Sequence, residues 1–316
     1  KTFHAMDEIG IIQDGAVFIK DGNFIDIGTT KKLKKKHAGA NIKIIDATGA
    51  VVLPGFVDSH THAVFGGNRT GEFVQRIQGK TYLEILKKGG GIVNTVEQTR
   101  KLKFKKLAET SRKYLDTMLL HGTTTVEIKS GYGLDINTEL KILKVIHHLQ
   151  KTHSMDIVAT FLGAHMIPPE YKNDPDTYIK LVCNVLPKVK SYATFCDTFC
   201  DVGAFSIKQS ERVLKTAKSL GFKLKIHTNE FEDIGGVSLA IQLEAVSADH
   251  LDNIKHRDIV RLKASNVICV LLPGVPFFLM KDTYAPAQKM IENGLPIALA
   301  TDFNPGSTPS GNMNFV

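Results

Sequence analysis

The sequence predicts an α/β chain whose body is a (β/α)8 barrel preceded by a small β lobe. Three observations lead there. From Val57 onward, short apolar runs alternate with helix-compatible stretches eight times over. Strands separated by helices pair in parallel, and eight of them close a sheet on itself. Titratable side chains recur where the apolar runs stop, the rim on which such barrels carry their chemistry.

The elements follow in order. Gly15–Lys20 and Asn23–Gly28 flank Asp21-Gly22, a two-residue hairpin signal. Ile42–Asp46 and Val51–Leu53 read as two further short strands. This lobe, residues 1–53, is too small to stand alone and is expected to form part of a β-sandwich. Its partner strands would come from the other terminus, so the chain is expected to continue beyond Val316.

The barrel, residues 54–316, takes its strands near Phe56–His60, Thr124–Ile128, Ile157–Leu162 and Thr198–Val202. Four more follow near Lys223–His227, Ala245–Asp249, Val267–Leu272 and Ile297–Ala300. Helices are expected within Val93–Leu120, Asn137–Lys151, Asp176–Lys190, Ser206–Leu220, Ile234–Leu243, Asn253–Ala264 and Thr283–Glu292. Gly122, Gly221 and Gly294 stand where helices should end.

Composition narrows the function classes. With 43% hydrophobic and 23% charged residues the chain reads as soluble and globular. Four cysteines, Cys183, Cys196, Cys200 and Cys269, are too few for a disulfide scaffold and point to a reducing cytoplasm. Cys196 and Cys200 read as core thiols. No signal-peptide pattern follows Lys1. The longest apolar stretch, Val267–Met280, is broken by Pro273, Gly274 and Pro276 and is too short to span a bilayer, so no membrane role is expected. The net charge of +8 gathers in Lys31–Lys36 and around Lys101–Lys106. Neither run carries a known nucleic-acid motif, and both read as solvated helix faces. Gly89-Gly90-Gly91 lacks the lysine and hydroxyl of a phosphate loop and reads as a flexible connection near the site entrance.

His60-Thr61-His62 closes the first barrel strand. Side chains two apart on a strand share a side, so both imidazoles can face the barrel mouth. His227 after the fifth strand and Asp302 after the eighth bring further donors to that rim. Three imidazoles and a carboxylate suit a divalent transition metal such as zinc, with iron chemically possible.

The run Pro54-Gly55-Phe56-Val57-Asp58-Ser59-His60-Thr61-His62 resembles the opening signature of the amidohydrolase superfamily. Val64–Arg69, Thr81–Ile85 with Gly89–Gly91, Glu127–Leu134, Leu162–His165, Ser247–Leu251 and Thr301–Ser307 are similar to one branch of it, the hydrolases that open an imidazolone ring in histidine degradation. The likeness runs from about residue 50 to the end of the chain. It implies a distorted, TIM-like (β/α)8 barrel that hydrolyses 4-imidazolone-5-propanoate to N-formimidoyl-L-glutamate, in a cytoplasmic homodimer. It also implies one Zn2+ or Fe3+ per chain, held by His60, His62, His227 and Asp302. Dinuclear relatives carry a lysine at the end of the fourth strand; here that stretch reads Phe199-Cys200-Asp201-Val202-Gly203.

A cation-bound water, its pKa lowered to about 7, would attack the ring carbonyl. Glu230, three residues past His227, matches the family's proposed general base, and Asp302 is the competing candidate. His250 would polarise the carbonyl or stabilise the oxyanion, unless it is a structural histidine bonded to Asp249. Arg69 would clamp the substrate's propionate. Tyr132 and His165 match residues that contact substrate, and Asn304, Gly306 and Ser307 would complete the pocket. The rival readings are a nucleobase deaminase on the same cage, which has no need of Arg69, and a catalytically silent scaffold, which would be expected to lose its ligands.

Overall fold

The computed structural model describes residues 9–39, 41–80, 84–85 and 90–316. Thr81, Tyr82, Leu83 and Gly89 of the family-like runs, and with Gly89 the intact glycine run, lie outside those residues. The chain divides into two compact units, Lys1–Pro54 and Gly55–Val316.

In the first unit β1 (Gly15–Lys20) pairs antiparallel with β2 (Asn23–Thr29). Asp21 and Gly22 take φ of 51° and 75°, the two positive values that a tight turn of this hand requires. Helix α1 (Thr30–Lys36) follows, its first turn capped by the Thr29 side chain. Leu33 is buried, while the lysines of this helix point to solvent. The basic run is a solvated helix face. Ile42–Asp46 and Val51–Leu53 are not strands. Their apolar alternation supplies β-propensity, but a ladder needs hydrogen-bonding partners, and none of the described residues provides them.

The second unit carries eight parallel strands: β3 (Phe56–Thr61), β4 (Thr123–Lys129), β5 (Asp156–Ala164), β6 (Phe195–Cys200), β7 (Lys223–Thr228), β8 (Ser247–His250), β9 (Ile268–Leu271) and β10 (Ile297–Leu299). They are ordered in space as in sequence. Burial is nearly continuous along β4, β5 and β7, as expected of parallel strands covered on both faces. The barrel closes just past β10. Asp302 N–H donates to His60 O at 3.0 Å and His62 N–H to Phe303 O at 2.9 Å. Beneath this seam the buried Asp58 carboxylate accepts from Thr301 N–H (3.0 Å) and Thr301 Oγ1–H (2.6 Å).

Around the sheet run α2 (Thr70–Ile77), α3 (Ile92–Lys101), α4 (Phe104–Leu120), α5 (Ile136–Thr152), α6 (Pro175–Val189), α7 (Ile207–Ser219), α8 (Gly236–Leu243), α9 (His256–Lys263), α10 (Gly274–Leu279) and α11 (Ala287–Glu292). Asp135 and Asp174 cap α5 and α6, and Ser206 with Gln209 forms a capping box on α7. The stretch expected as one helix, Val93–Leu120, is two. Lys141 Nζ donates to the carbonyls of Thr99, Arg100 and Leu102 at 2.8–3.0 Å, satisfying the last turn of α3 and fixing its end. Gly122, Gly221 and Gly294 follow helices with φ of 92°, 79° and 79°. The four cysteines are free, three of them buried. No described helix is long and apolar enough to cross a membrane.

Candidate active site

The end of β3 places His60 and His62 two residues apart, both buried, and the end of β7 adds His227. One ligand-capable atom from each of the three lies within 4.8 Å of the others. Asp302, brought beside β3 by the closing seam, sets Oδ1 3.4 Å from His60 Nε2 and 3.2 Å from His62 Nε2. Its backbone takes φ of 52°, a left-handed conformation a non-glycine residue holds at about 1–3 kcal/mol, enforced here by the bond to His60 O. His250 and Leu251 are likewise left-handed, at 80° and 64°.

These residues fit a cation. His60 Nε2 and His227 Nε2 are buried without any hydrogen-bond partner, which native interiors rarely tolerate unless another ligand satisfies the atom. Burial holds His62 down to about 3 and keeps His60 and His227 well below the ordinary imidazole range, Lys129 adding to the effect. The rings are therefore neutral and free to offer lone pairs. Three nitrogens and one oxygen form a donor set suited to a divalent transition metal.

The loop after β7 brings Glu230 to the same mouth. Its backbone is pinned by Asp201, whose carboxylate accepts from the N–H groups of Glu230, Phe231 and Glu232 at 2.8, 3.1 and 3.0 Å. The Glu230 carboxylate stands 3.7 Å from His250 Nδ1 and 3.7 Å from Lys281 Nζ. Burial pushes it up to about 8, against the pull of Lys281. His250 makes no bond to Asp249. That aspartate turns to His60 Nδ1 instead, at 2.7 Å.

His165 stacks on His62, ring centroids 4.9 Å apart, and its Nδ1 lies 3.0 Å from Gly131 O. Tyr132 sits 5.6 Å from His62 and 5.4 Å from His165. Asn304 Nδ2 and Ser307 Oγ donate to Asp302 Oδ2 at 2.9 and 3.1 Å. These two thus orient the Asp302 carboxylate, a role the sequence reading did not give them. Arg69 is held by Glu72 Oε2, 2.9 Å from Nε and 2.8 Å from Nη2, and Glu72 Oε1 also accepts from Gly91 N–H. Gly306 packs so closely on this guanidinium that a Cβ there would come within 2.5 Å of Arg69 Cζ. The absence of a side chain is therefore a packing requirement at 306.

Sequence reasoning missed the charges beneath the imidazoles. Lys129, fully buried, lies 2.8 Å from Asp197, 2.9 Å from Glu127 and 3.7 Å from Asp249. Asp197 Oδ2 is 2.9 Å from His227 Nδ1, though outside hydrogen-bond alignment. Lys225 adds a second cation, 3.2 Å from Asp249. The available signal was charge at period two inside apolar strands: Glu127 with Lys129, and Lys225 with His227.

Residues 51–314 match the amidohydrolase family. The chain is 47% identical to the imidazolonepropionase of Alkaliphilus oremlandii (strain OhILAs), over 98% of this chain and 74% of that protein. The chain belongs to the imidazolonepropionase family of amidohydrolases. Another member, from Bacillus cytotoxicus, is also 47% identical, over 99% of this chain and 74% of its own. Among solved structures, guanine deaminase from C. acetobutylicum superposes with a TM-score of 0.67 at 18% identity, covering 96% of this chain and 72% of that one. That likeness shows the barrel fold that the family shares with other amidohydrolases.

Proposed function

We propose that this protein hydrolyses 4-imidazolone-5-propanoate to N-formimidoyl-L-glutamate, opening a C–N bond of the ring. The observation that carries the reading is the cluster of His60, His62, His227 and Asp302 at one barrel mouth, in a chain close in sequence to imidazolonepropionases. His60, His62, His227 and Asp302 would hold a metal cation, which would supply the Lewis acidity that makes water nucleophilic near neutral pH.

The chain's own groups do the rest. Arg69, preset by Glu72, binds the propionate. Tyr132 and His165 flank the ring. His250 polarises the ring carbonyl. Glu230 takes the proton of the attacking water and returns it to the departing ring nitrogen. Glu230 suits that role better than Asp302, because Asp302 Oδ1 faces the His60 and His62 Nε2 atoms as a fourth donor to the cation and Oδ2 accepts from Asn304 and Ser307. Among the described residues, the Glu230 carboxylate has His250 and Lys281 as its cationic or imidazole neighbours, each at 3.7 Å.

One Zn2+ or Fe3+ per chain is the reading we favour. Asp201, at the strand end where dinuclear relatives carry a lysine, is committed to the backbone of residues 230–232. We assign the protein to the cytoplasm as a homodimer, with residues 1–53 forming one part of a composite β-sandwich and residues 54–316 the catalytic barrel, and with neither nucleic acid nor membrane as partner.

The test is turnover of imidazolonepropanoate by purified protein, followed by loss of ultraviolet absorbance, beside Arg69→Ala. The substitution is expected to cripple turnover at subsaturating substrate, by raising KM. Hydrolysis of nucleobases with no effect of Arg69→Ala would instead assign a deaminase, and a folded protein that holds no metal would assign a scaffold.

A further inference from the structure

We propose that Lys129 is a positioning residue for the metal-binding imidazoles, and that the cation affinity of the site depends on it. The inference rests on the reading of His60, His62, His227 and Asp302 as a metal site. It concerns a group that touches none of those four side chains.

Lys129 ends β4, fully buried inside the barrel, with its Nζ 2.8 Å from Asp197 Oδ2, 2.9 Å from Glu127 Oε1 and 3.7 Å from Asp249 Oδ2. Two of these carboxylates face an imidazole with the same oxygen: Asp249 Oδ2 is 2.7 Å from His60 Nδ1, and Asp197 Oδ2 is 2.9 Å from His227 Nδ1. Lys129 thus holds the Asp197 oxygen and borders the Asp249 oxygen, which Lys225 also approaches at 3.2 Å, and each oxygen faces the inner nitrogen of one ring.

The chemistry of that arrangement is directional. A carboxylate at Nδ1 favours the tautomer with its proton there, which leaves the Nε2 lone pair for a metal and fixes the plane of the ring. For His60 the outer nitrogen bears this out, since Nε2 is buried without a partner while Nδ1 bonds Asp249; at His227 both nitrogens lack an aligned hydrogen bond, Nδ1 facing Asp197 at 2.9 Å. A lysine serving only to balance charge would not need to sit between two aspartates that each face an imidazole of the candidate site. Glu127 provides the internal comparison. It contacts the same ammonium and Thr160, but no histidine.

The experiment uses the full chain, stripped of metal and titrated with Zn2+ against a chromophoric chelator at fixed pH. Nitrogen-15 spectra of histidine-labelled protein report the tautomers in parallel. Lys129→Met is expected to weaken Zn2+ binding by roughly 10- to 100-fold, the range seen when partners of metal ligands are removed. It should also erode the Nδ1–H tautomer of the buried rings. Glu127→Gln, which strips the lysine of a partner away from the imidazoles, should leave affinity within about threefold and the tautomers unchanged. If Lys129→Met does not fold, the charge-balanced double variant Lys129→Met with Glu127→Gln takes its place, and the affinity loss must persist in it. Wild-type affinity and tautomers in whichever of these variants folds would overturn the proposal and leave Lys129 as a structural counter-charge. A wild-type protein that binds no Zn2+ would overturn the metal reading itself, and the proposal with it.

Discussion

Replacing Gly306 with alanine tests the carboxylate clamp without touching it. The added methyl would fall on the Arg69 guanidinium, at 2.5 Å from Cζ and 3.0 Å from Nη2. The guanidinium cannot simply yield, because Nε and Nη2 both donate to Glu72 Oε2 at 2.9 and 2.8 Å and both side chains are largely buried. Swinging it aside breaks two charge-assisted bonds worth about 1.5–3 kcal/mol each. It also leaves the Glu72 carboxylate to the Gly91 N–H, which donates to Oε1 at 2.9 Å. A displaced Arg69 forfeits its contact with the propionate, about 2–3 kcal/mol, which is a rise of roughly 30- to 150-fold in KM. The turnover number should move by no more than about threefold, since uniform binding loss leaves kcat untouched. Steady-state kinetics on imidazolonepropanoate decide the matter, with an analogue lacking the propionate as the control that should not respond. A KM within threefold of wild type would refute the reasoning, as would an equal loss on the analogue.

Three other outcomes are expected. Chelation should abolish turnover and lower the melting temperature, with about one equivalent of divalent cation restoring both; undiminished activity in the chelated, metal-free protein would exclude a metal mechanism. Glu230→Gln should lower kcat by about 10^2- to 10^4-fold at unchanged metal content, and a loss of under tenfold would pass the base role to another group. Asp58→Ala strands the N–H and hydroxyl of Thr301 in a fully buried seam, at about 1–3 kcal/mol for each unsatisfied group. Urea denaturation should show a midpoint shift of that size, and an unshifted midpoint would mean the seam relaxes.

The barrel strands were legible because parallel strands covered on both faces are written as short apolar runs, and their ends fall within a few residues of expectation. His60, His62, His227, His250 and Asp302 were legible for a related reason, since each follows such a run where packing alone would not ask for a titratable group. Residues that act through a distant partner were not legible. Nothing near Leu102 marks the break between α3 and α4, because the side chain that fixes it is Lys141, on a different helix. Lys129 and Asp249 look like interruptions of apolar strands until the barrel curves them toward one another. Ile42–Asp46 carries a strand pattern but no ladder, since propensity is local and pairing is not. The structural alternative for His250 failed in the same way: Asp249 is its neighbour in sequence, but period two turns the two side chains to opposite sides.

The seam between β3 and the segment after β10 joins almost the two extremes of the barrel, with Thr301 bonded to Asp58 across 243 positions. The candidate ligands His60 and Asp302 lie on either side of that junction. A cation held there would act as a clasp on a belt, tying the first barrel strand to the last. A cage that spans this junction would need both ends of the barrel in place, and losing its ion would loosen the seam where the barrel closes.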